Sequence, residues 1–329
     1  MIDAKKYALV DLHLHLDGSI SIESAKRLAK MQKIELCSDE ELSRKLCVSE
    51  GCRDLCEYLE KFDFPLSLLQ TKEAICEAVY TLCEELLAQG LVYAEIRFAP
   101  QLHCEKGLTQ FEVVEAAIEG MKKSEMLSTL ILCCMRGEGL FEKNITTVDV
   151  AKKFLGLGVG AVDLAGAESL YPNEGFVKVF EYVKENNIPF TLHAGEAAGA
   201  NSVWSALDMG ARRIGHGVRS YEDDSLLAEL AKRKIALELC PTSNLNTKVF
   251  DSLDRYPIDA FIRAGVSITV NTDNMSVSNT TLAKEFEKLS KVYSFTETEL
   301  LNIVKTSISA SFANDVIKQK AFDRVDSLC

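Results

Sequence analysis

The chain has 329 residues, 47% hydrophobic and 26% charged, with a net charge of −12; this balance excludes a disordered, collagen-like or coiled-coil protein. Forty-nine acidic against 37 basic residues argue against a nucleic-acid or anionic-membrane partner, since such surfaces need clustered Lys and Arg to displace counterions. The length admits two ordinary domains or one large single-core fold.

In chain order, short β-rich runs alternate with amphipathic segments. The spacing predicts eight strands: Tyr7–His13, Val92–Phe98, Leu127–Met135, Gly160–Ala165, Pro189–His193, Arg213–His216, Ile235–Leu239 and Ser267–Asp273. Most are near-continuous apolar runs, as parallel strands covered on both faces should be. Between them lie helical patterns at Thr71–Gln89, Thr109–Ser124, Thr147–Leu157, Glu174–Asn186 and Asp223–Lys232, several opening on a Thr or Asp suited to N-capping. Such alternation predicts a (β/α)8 barrel built as one domain over 1–329. A doubly wound sheet would bring a Gly-rich phosphate turn after its first strand; here that place reads His13-Leu14-His15-Leu16-Asp17-Gly18.

Two segments exceed a plain barrel. Residues 19–70 form a long insertion after strand one, in which Leu55, Tyr58, Leu59 and Phe62 share one helical face. That stripe fits either a core-facing helix or a lid over the barrel mouth. Residues 280–328 read as further helices closing the barrel. The longest strongly apolar run, 127–135, falls well short of the ~20 residues that span a membrane. The start, Met1 to Lys6, leads into a strand broken by Asp11, His13 and His15 and does not read as a secretory leader. A cytoplasmic chain is expected. Its 11 cysteines lack any CxxC spacing and read as free thiols.

The strand ends carry the chemistry. A barrel gathers them at one mouth, and here they present His13 and His15, Asp163 to Gly166, His193 to Glu196, His216, and Asp273 with Asn274. Residues two apart on a strand point the same way, so both imidazoles of His13-Leu14-His15 can reach one ion. Singly these signals are modest: His216 could be a turn residue and Asp273 a helix cap. Jointly, His13, His15, His193 and Asp273 form a nitrogen and oxygen set suited to Zn²⁺, then Fe²⁺ or Co²⁺. A water completing the shell of bound zinc would ionise near pH ~7. His216 is then expected beside that water, and Glu196 as general acid. His103 falls outside this set and reads as a surface or loop histidine. Glu95 and Arg97 point the same way and read as a buried ion pair. Trp204 reads as helix packing.

The motifs His13-Leu14-His15-Leu16-Asp17-Gly18-Ser19, His193-Ala194-Gly195-Glu196, Gly215-His216-Gly217 and Asn271-Thr272-Asp273 resemble the signatures of the adenosine deaminase family, among the amidohydrolase-type metal-dependent hydrolases. The resemblance spans nearly the whole chain, with the motifs in family order. It implies one zinc per chain and hydrolysis of adenosine and 2′-deoxyadenosine to inosine and 2′-deoxyinosine. Position by position, His13, His15, His193 and Asp273 match the zinc ligands, Glu196 the proton donor, and His216 the residue orienting the attacking hydroxide. Gly166 matches the backbone N–H that holds purine N3, and Asp17 the acceptor of the ribose 5′-hydroxyl, with His15 beside the substrate. The stripe of Leu55, Tyr58, Leu59 and Phe62 resembles the family's apolar gate. One residue departs: many members carry a second aspartate where this chain has Asn274, whose amide can donate to purine N7 at any pH. Related adenine and aminofutalosine deaminases tend to carry Glu at the position of Asp17, and methyl-AMP-type relatives carry Asn. A neutral nucleoside is therefore the expected substrate. A deaminase of a related 6-aminopurine is the alternative, and a catalytically silent nucleoside-binding protein the remote one.

Overall fold

The computed structural model describes residues 8–49, 52–53 and 55–328. Eight strands line the interior: β1 (Leu9–His15), β2 (Leu91–Phe98), β3 (Leu127–Met135), β4 (Val159–Ala165), β5 (Thr191–Ala194), β6 (Arg213–His216), β7 (Ala236–Leu239) and β8 (Ser267–Val270). Within β1–β4 and β5–β8 each strand pairs in parallel with its sequence neighbour. Two bridges close the ring, Val162 to Phe190 and Leu14 to Asp273. The structure is the expected (β/α)8 barrel. Strand faces are buried almost throughout, because helices cover the outside and side chains fill the inside.

The closing seam shapes the functional end. Asp273 N–H donates to His13 O and His15 N–H to Asp273 O, both at 2.7 Å. These bonds draw β1 onward to His15, two residues beyond the expected end; the expected start at Tyr7 lies outside the described residues. They also end β8 early, because Asp273 turns into a left-handed backbone with φ 62°.

Local chemistry explains most helix starts. Thr71 caps the helix Lys72–Ala88, Thr109 caps Gln110–Lys122 in a capping box with Glu112, and Asp223 caps Asp224–Arg233. Thr147 does not cap a helix. It lies inside Phe141–Phe154, where its hydroxyl donates to Gln110 Oε1 at 2.7 Å. The helix expected from Glu174 starts at Val177, after a 3-10 turn.

The insertion after β1 is helical, with segments Ile22–Gln32, Asp39–Leu46, Leu55–Leu59 and Asp63–Leu68. Leu55, Tyr58 and Phe62 pack with Val48, Cys52 and Val277 in a cluster separate from the main core. The stripe is therefore no part of the barrel core. Helices Leu282–Tyr293, Glu297–Ala310 and Asp315–Leu328 follow β8.

Candidate active site

Beneath the mouth lies a layer of buried charge. Arg97, fully buried on β2, donates to Asp163 at 2.9 Å, to Glu238 at 2.8 Å and to Leu12 O at 2.6 Å. Arg213 donates to Glu238 at 2.7 Å and to Glu95 at 2.5 Å. Arg97 and Glu95 thus pair across the barrel with other residues, not with each other as expected. Buried ions need such full complements of partners, or they would carry a large desolvation cost. Despite burial, Arg97 and Arg213 hold the Glu238 carboxyl well below its ordinary range.

These carboxylates orient the histidines above them. His13 Nδ1 lies 2.7 Å from Glu238 Oε2, and His193 Nδ1 lies 2.9 Å from Asp163 Oδ2. A carboxylate at Nδ1 holds the proton there and turns the Nε2 lone pair outward. The two Nε2 atoms consequently face each other at 3.1 Å. His15 Nε2 lies 3.3 Å from His193 Nε2, and Asp273 Oδ1 is 3.5 Å from Nε2 of both His13 and His15. Lone pairs turned toward one point repel unless a cation lies between them. Ligand atoms of His13, His15, His193 and Asp273 all fall within 4.8 Å of one another. Donor type, tautomer and second partners therefore fit a bound metal ion. A second group of His13, His216, Cys240 and Asp273 is equally compact and shares His13 and Asp273 with the first.

His216 and Glu196 stand beside this nest. His216 has a left-handed backbone with φ 57°, and Nε2 lies 3.6 Å from Glu196 Oε2. Two left-handed non-glycine residues, His216 and Asp273, both serve the site, where backbone strain commonly collects. Burial, with His13 next, pushes the His216 imidazole well below its ordinary value. Burial also raises the Glu196 carboxyl well above its own, helped by Asp273 and then Glu168. The neutral forms of both are favoured. Glu196 can then donate a proton, which an ordinary glutamate at neutral pH cannot.

A cavity of about 240 Å³ opens above, bordered by His15, Asp17, Gly166, Glu196, His216 and Asn274. Gly166 has φ 110°, a conformation that lets its backbone border the cavity and that side chains resist. Burial raises Asp17 to about 6. Asn274 turns Oδ1 against Gly18, into space that a Cβ would take. Tyr58, Leu59 and Phe62 roof the cavity, while Leu55 packs behind them. His15, Asp17, Gly166, His193, Glu196, His216, Asp273 and Asn274 line this cavity, and His13 completes the nest beside it.

Other expectations are corrected. His103 is fully buried rather than at the surface; Nδ1 lies 2.9 Å from Leu69 O and its ring meets Phe98 edge-on. Trp204 packs as expected, with Nε1 donating to Asp223 at 2.9 Å. Sequence reasoning missed Glu238, Glu168 and Asn244. Only Glu238 left a signal, an acid inside the apolar run Ala236-Leu237-Glu238-Leu239.

A parallel eight-stranded barrel whose strand ends converge three imidazoles and a carboxylate defines a metal-binding hydrolase of the amidohydrolase type. The chain matches the family described as adenosine deaminase over residues 8–328. It is 44% identical to an adenosine deaminase of Haemophilus ducreyi, covering 95% of this chain and 94% of that one. It is 39% identical to an adenosine deaminase of Enterococcus faecalis, covering 96% and 95%. Among solved structures it resembles an adenine deaminase from Arthrobacter aurescens, with 27% identity, a TM-score of 0.86 and 98% of both chains covered. An Arabidopsis N6-mAMP deaminase superposes equally well, with 26% identity, a TM-score of 0.86 and 98% coverage of both chains. This chain belongs to the adenosine deaminase family.

Proposed function

We propose that this chain hydrolyses adenosine and 2′-deoxyadenosine to inosine and 2′-deoxyinosine with release of ammonia, using one Zn²⁺ held by His13, His15, His193 and Asp273. The observation that carries this reading is Glu196, buried on the cavity wall beside that nest, 3.6 Å from His216 Nε2, and biased toward its protonated form. When bound, the cation supplies a water that ionises near neutral pH. Glu196 delivers a proton to purine N1, which makes C6 electrophilic. His216 holds the attacking oxygen in line, Gly166 N–H binds N3 and the Asn274 amide donates to N7. Asp17 accepts from the ribose 5′-hydroxyl, with His15 alongside. Tyr58, Leu59 and Phe62 act with Leu55 as a lid that keeps bulk water out.

The cavity lining supports a nucleoside over a nucleotide. It carries Asp17, Asp63, Glu196 and Asp273 and no Lys or Arg among the described residues, so a 5′-phosphate would find no Lys or Arg to pair with. No helix among the described residues is long and apolar enough to cross a membrane. Eight described cysteines other than Cys52 are free thiols, which supports a reducing compartment, and we place the protein in the cytoplasm with no nucleic-acid partner. One main hydrophobic core extends from Ala8 to Val325, which supports a single domain over 1–329.

The test is a panel of adenosine, 2′-deoxyadenosine, adenine, AMP and N6-methyl-AMP on zinc-loaded protein. Turnover should be confined to the two nucleosides. Faster turnover of adenine or a nucleotide would overturn the substrate assignment, and zinc-loaded protein inert on every substrate would overturn the activity.

A further inference from the structure

His216 is held from behind by a hydrogen-bonded pair that has no contact with the metal nest. Asn244 lies in the short helix Pro241–Asn246 after β7, and Tyr256 leads into the helix Ile258–Ala264. All three side chains are at most 2% exposed. Tyr256 Oη donates to Asn244 Oδ1 at 2.9 Å, and Asn244 Nδ2 lies 3.1 Å from His216 Nδ1.

The donors and acceptors in this chain run in one direction, set at the tyrosine. A phenol has a single hydrogen, and Tyr256 Oη gives it to Asn244 Oδ1. The Asn244 amide is thereby turned with its NH2 toward His216. An NH2 donates and never accepts, so Nδ1 must be the bare nitrogen of the ring. A neutral imidazole with a bare Nδ1 carries its proton on Nε2, the atom that faces Glu196 at 3.6 Å.

We propose that Asn244, fixed by Tyr256, is a positioning residue that sets the Nε2–H tautomer of His216 and so makes it a hydrogen-bond donor in the reaction, not its base. The inference rests on the deaminase reading for its catalytic consequence, but the tautomer follows from the hydrogen-bond chain alone. With Nε2 protonated, His216 steadies negative charge on the attacking oxygen and takes no proton from it. This differs from the metal ligands His13 and His193, whose Nδ1 atoms meet carboxylates and whose protons lie on the opposite nitrogen.

The experiment uses Asn244→Asp, which keeps the shape of the side chain and replaces the NH2 by an acceptor. Nitrogen NMR of histidine-labelled, zinc-loaded protein can resolve all five rings, with His216→Asn assigning the signal. Wild-type His216 should show a protonated Nε2 and a bare Nδ1. In Asn244→Asp the proton should appear on Nδ1, and kcat for adenosine should fall about 10²- to 10⁴-fold, as expected for a wrong tautomer. KM should change less than about threefold, with zinc content unchanged. A wild-type ring protonated on Nδ1, or Asn244→Asp with kcat within about threefold of wild type, overturns the proposal. If Asn244→Asp does not fold, Tyr256→Phe decides. It frees the amide to reverse and should give a mixed tautomer with kcat reduced several-fold; an unmixed Nε2–H ring at full kcat contradicts the relay. Wild-type protein inert toward adenosine would instead refute the deaminase reading, and the nitrogen spectrum would still decide the tautomer.

Discussion

Glu168 accepts the backbone N–H of Glu196 at 3.1 Å, so one buried carboxylate carries the loop that presents the other. It also accepts from the N–H groups of Gly195, Ala197 and Ala198 at 2.7, 2.7 and 3.0 Å, and from the Ser202 hydroxyl at 2.5 Å. Its charge contributes to raising the Glu196 carboxyl. Charge-assisted bonds of this kind each contribute about 1.5–3 kcal/mol. Glu168→Gln keeps the shape but loses the charge and some acceptor capacity. It should lower thermal stability by several degrees and cut kcat at least tenfold with zinc retained. Unchanged kcat would remove Glu168 from the account of the acid.

The proposed proton donor, Glu196, has a pH signature. Burial first, then Asp273 and Glu168, raise the Glu196 carboxyl. An acid so raised keeps its proton as the pH passes the ordinary carboxylate range and loses it only above the raised value. Turnover should therefore fall on the alkaline side as that proton leaves. Glu196→Gln should keep its zinc, lose activity by about 10²- to 10⁴-fold and lose that alkaline limb. Turnover within a few-fold of wild type would mean that another residue is the acid.

The proposed lid carries a polar contact among its apolar residues. Tyr58 Oη lies 2.7 Å from Ser278 Oγ, in the segment after Asp273 and Asn274. Tyr58→Phe keeps the ring and removes the contact. With about 1 kcal/mol at stake, KM for adenosine should rise roughly fivefold while kcat stays within a factor of two. Equal KM values in a steady-state comparison would show that the hydroxyl plays no part in closure.

His103 predicts a stability effect remote from catalysis. Burial lowers its imidazole from an ordinary 6.5 to about 4. Between those values the unfolded chain takes up a proton that the folded chain refuses, so stability falls as the pH drops through 6.5 and levels off near 4. The full effect is about 3 kcal/mol. His103→Gln should be less stable than wild type at pH 7 and should lose less on acidification. Parallel pH profiles of the denaturation midpoint would contradict this.

Asp17, as the proposed ribose contact, should separate nucleoside from base. Asp17→Ala should raise KM for adenosine much more than for adenine, which lacks the ribose hydroxyl. Steady-state kinetics with both substrates on the variant decide it, and equal effects would remove the ribose contact.

The site was legible from sequence because its residues sit at strand ends, where β spacing and barrel geometry determine where they converge. His13 and His15 are two apart on one strand, and Asp273 meets them at the seam between first and last strands. What sequence hid is what depends on three-dimensional partners. Arg97 and Glu95 share a strand face, yet each finds its main partners across the barrel. Nothing local marks His103 as buried, because the carbonyl that receives it belongs to Leu69, 34 residues away. Asn244 and Tyr256 sit in loop-like sequence with no periodicity, and only the fold brings them behind His216. The strand ends of β1 and β8 shifted because closure bonds, not propensity, set them.

The most direct test of the central claim is a titration of metal-stripped protein with zinc, following inosine formation from adenosine alongside thermal stability. Activity and melting temperature should rise together and saturate at one zinc per chain, since the cation relieves the opposed nitrogens of His13 and His193. Full deaminase activity in stripped protein, or zinc bound at His13, His15, His193 and Asp273 with no inosine formed, would contradict the account.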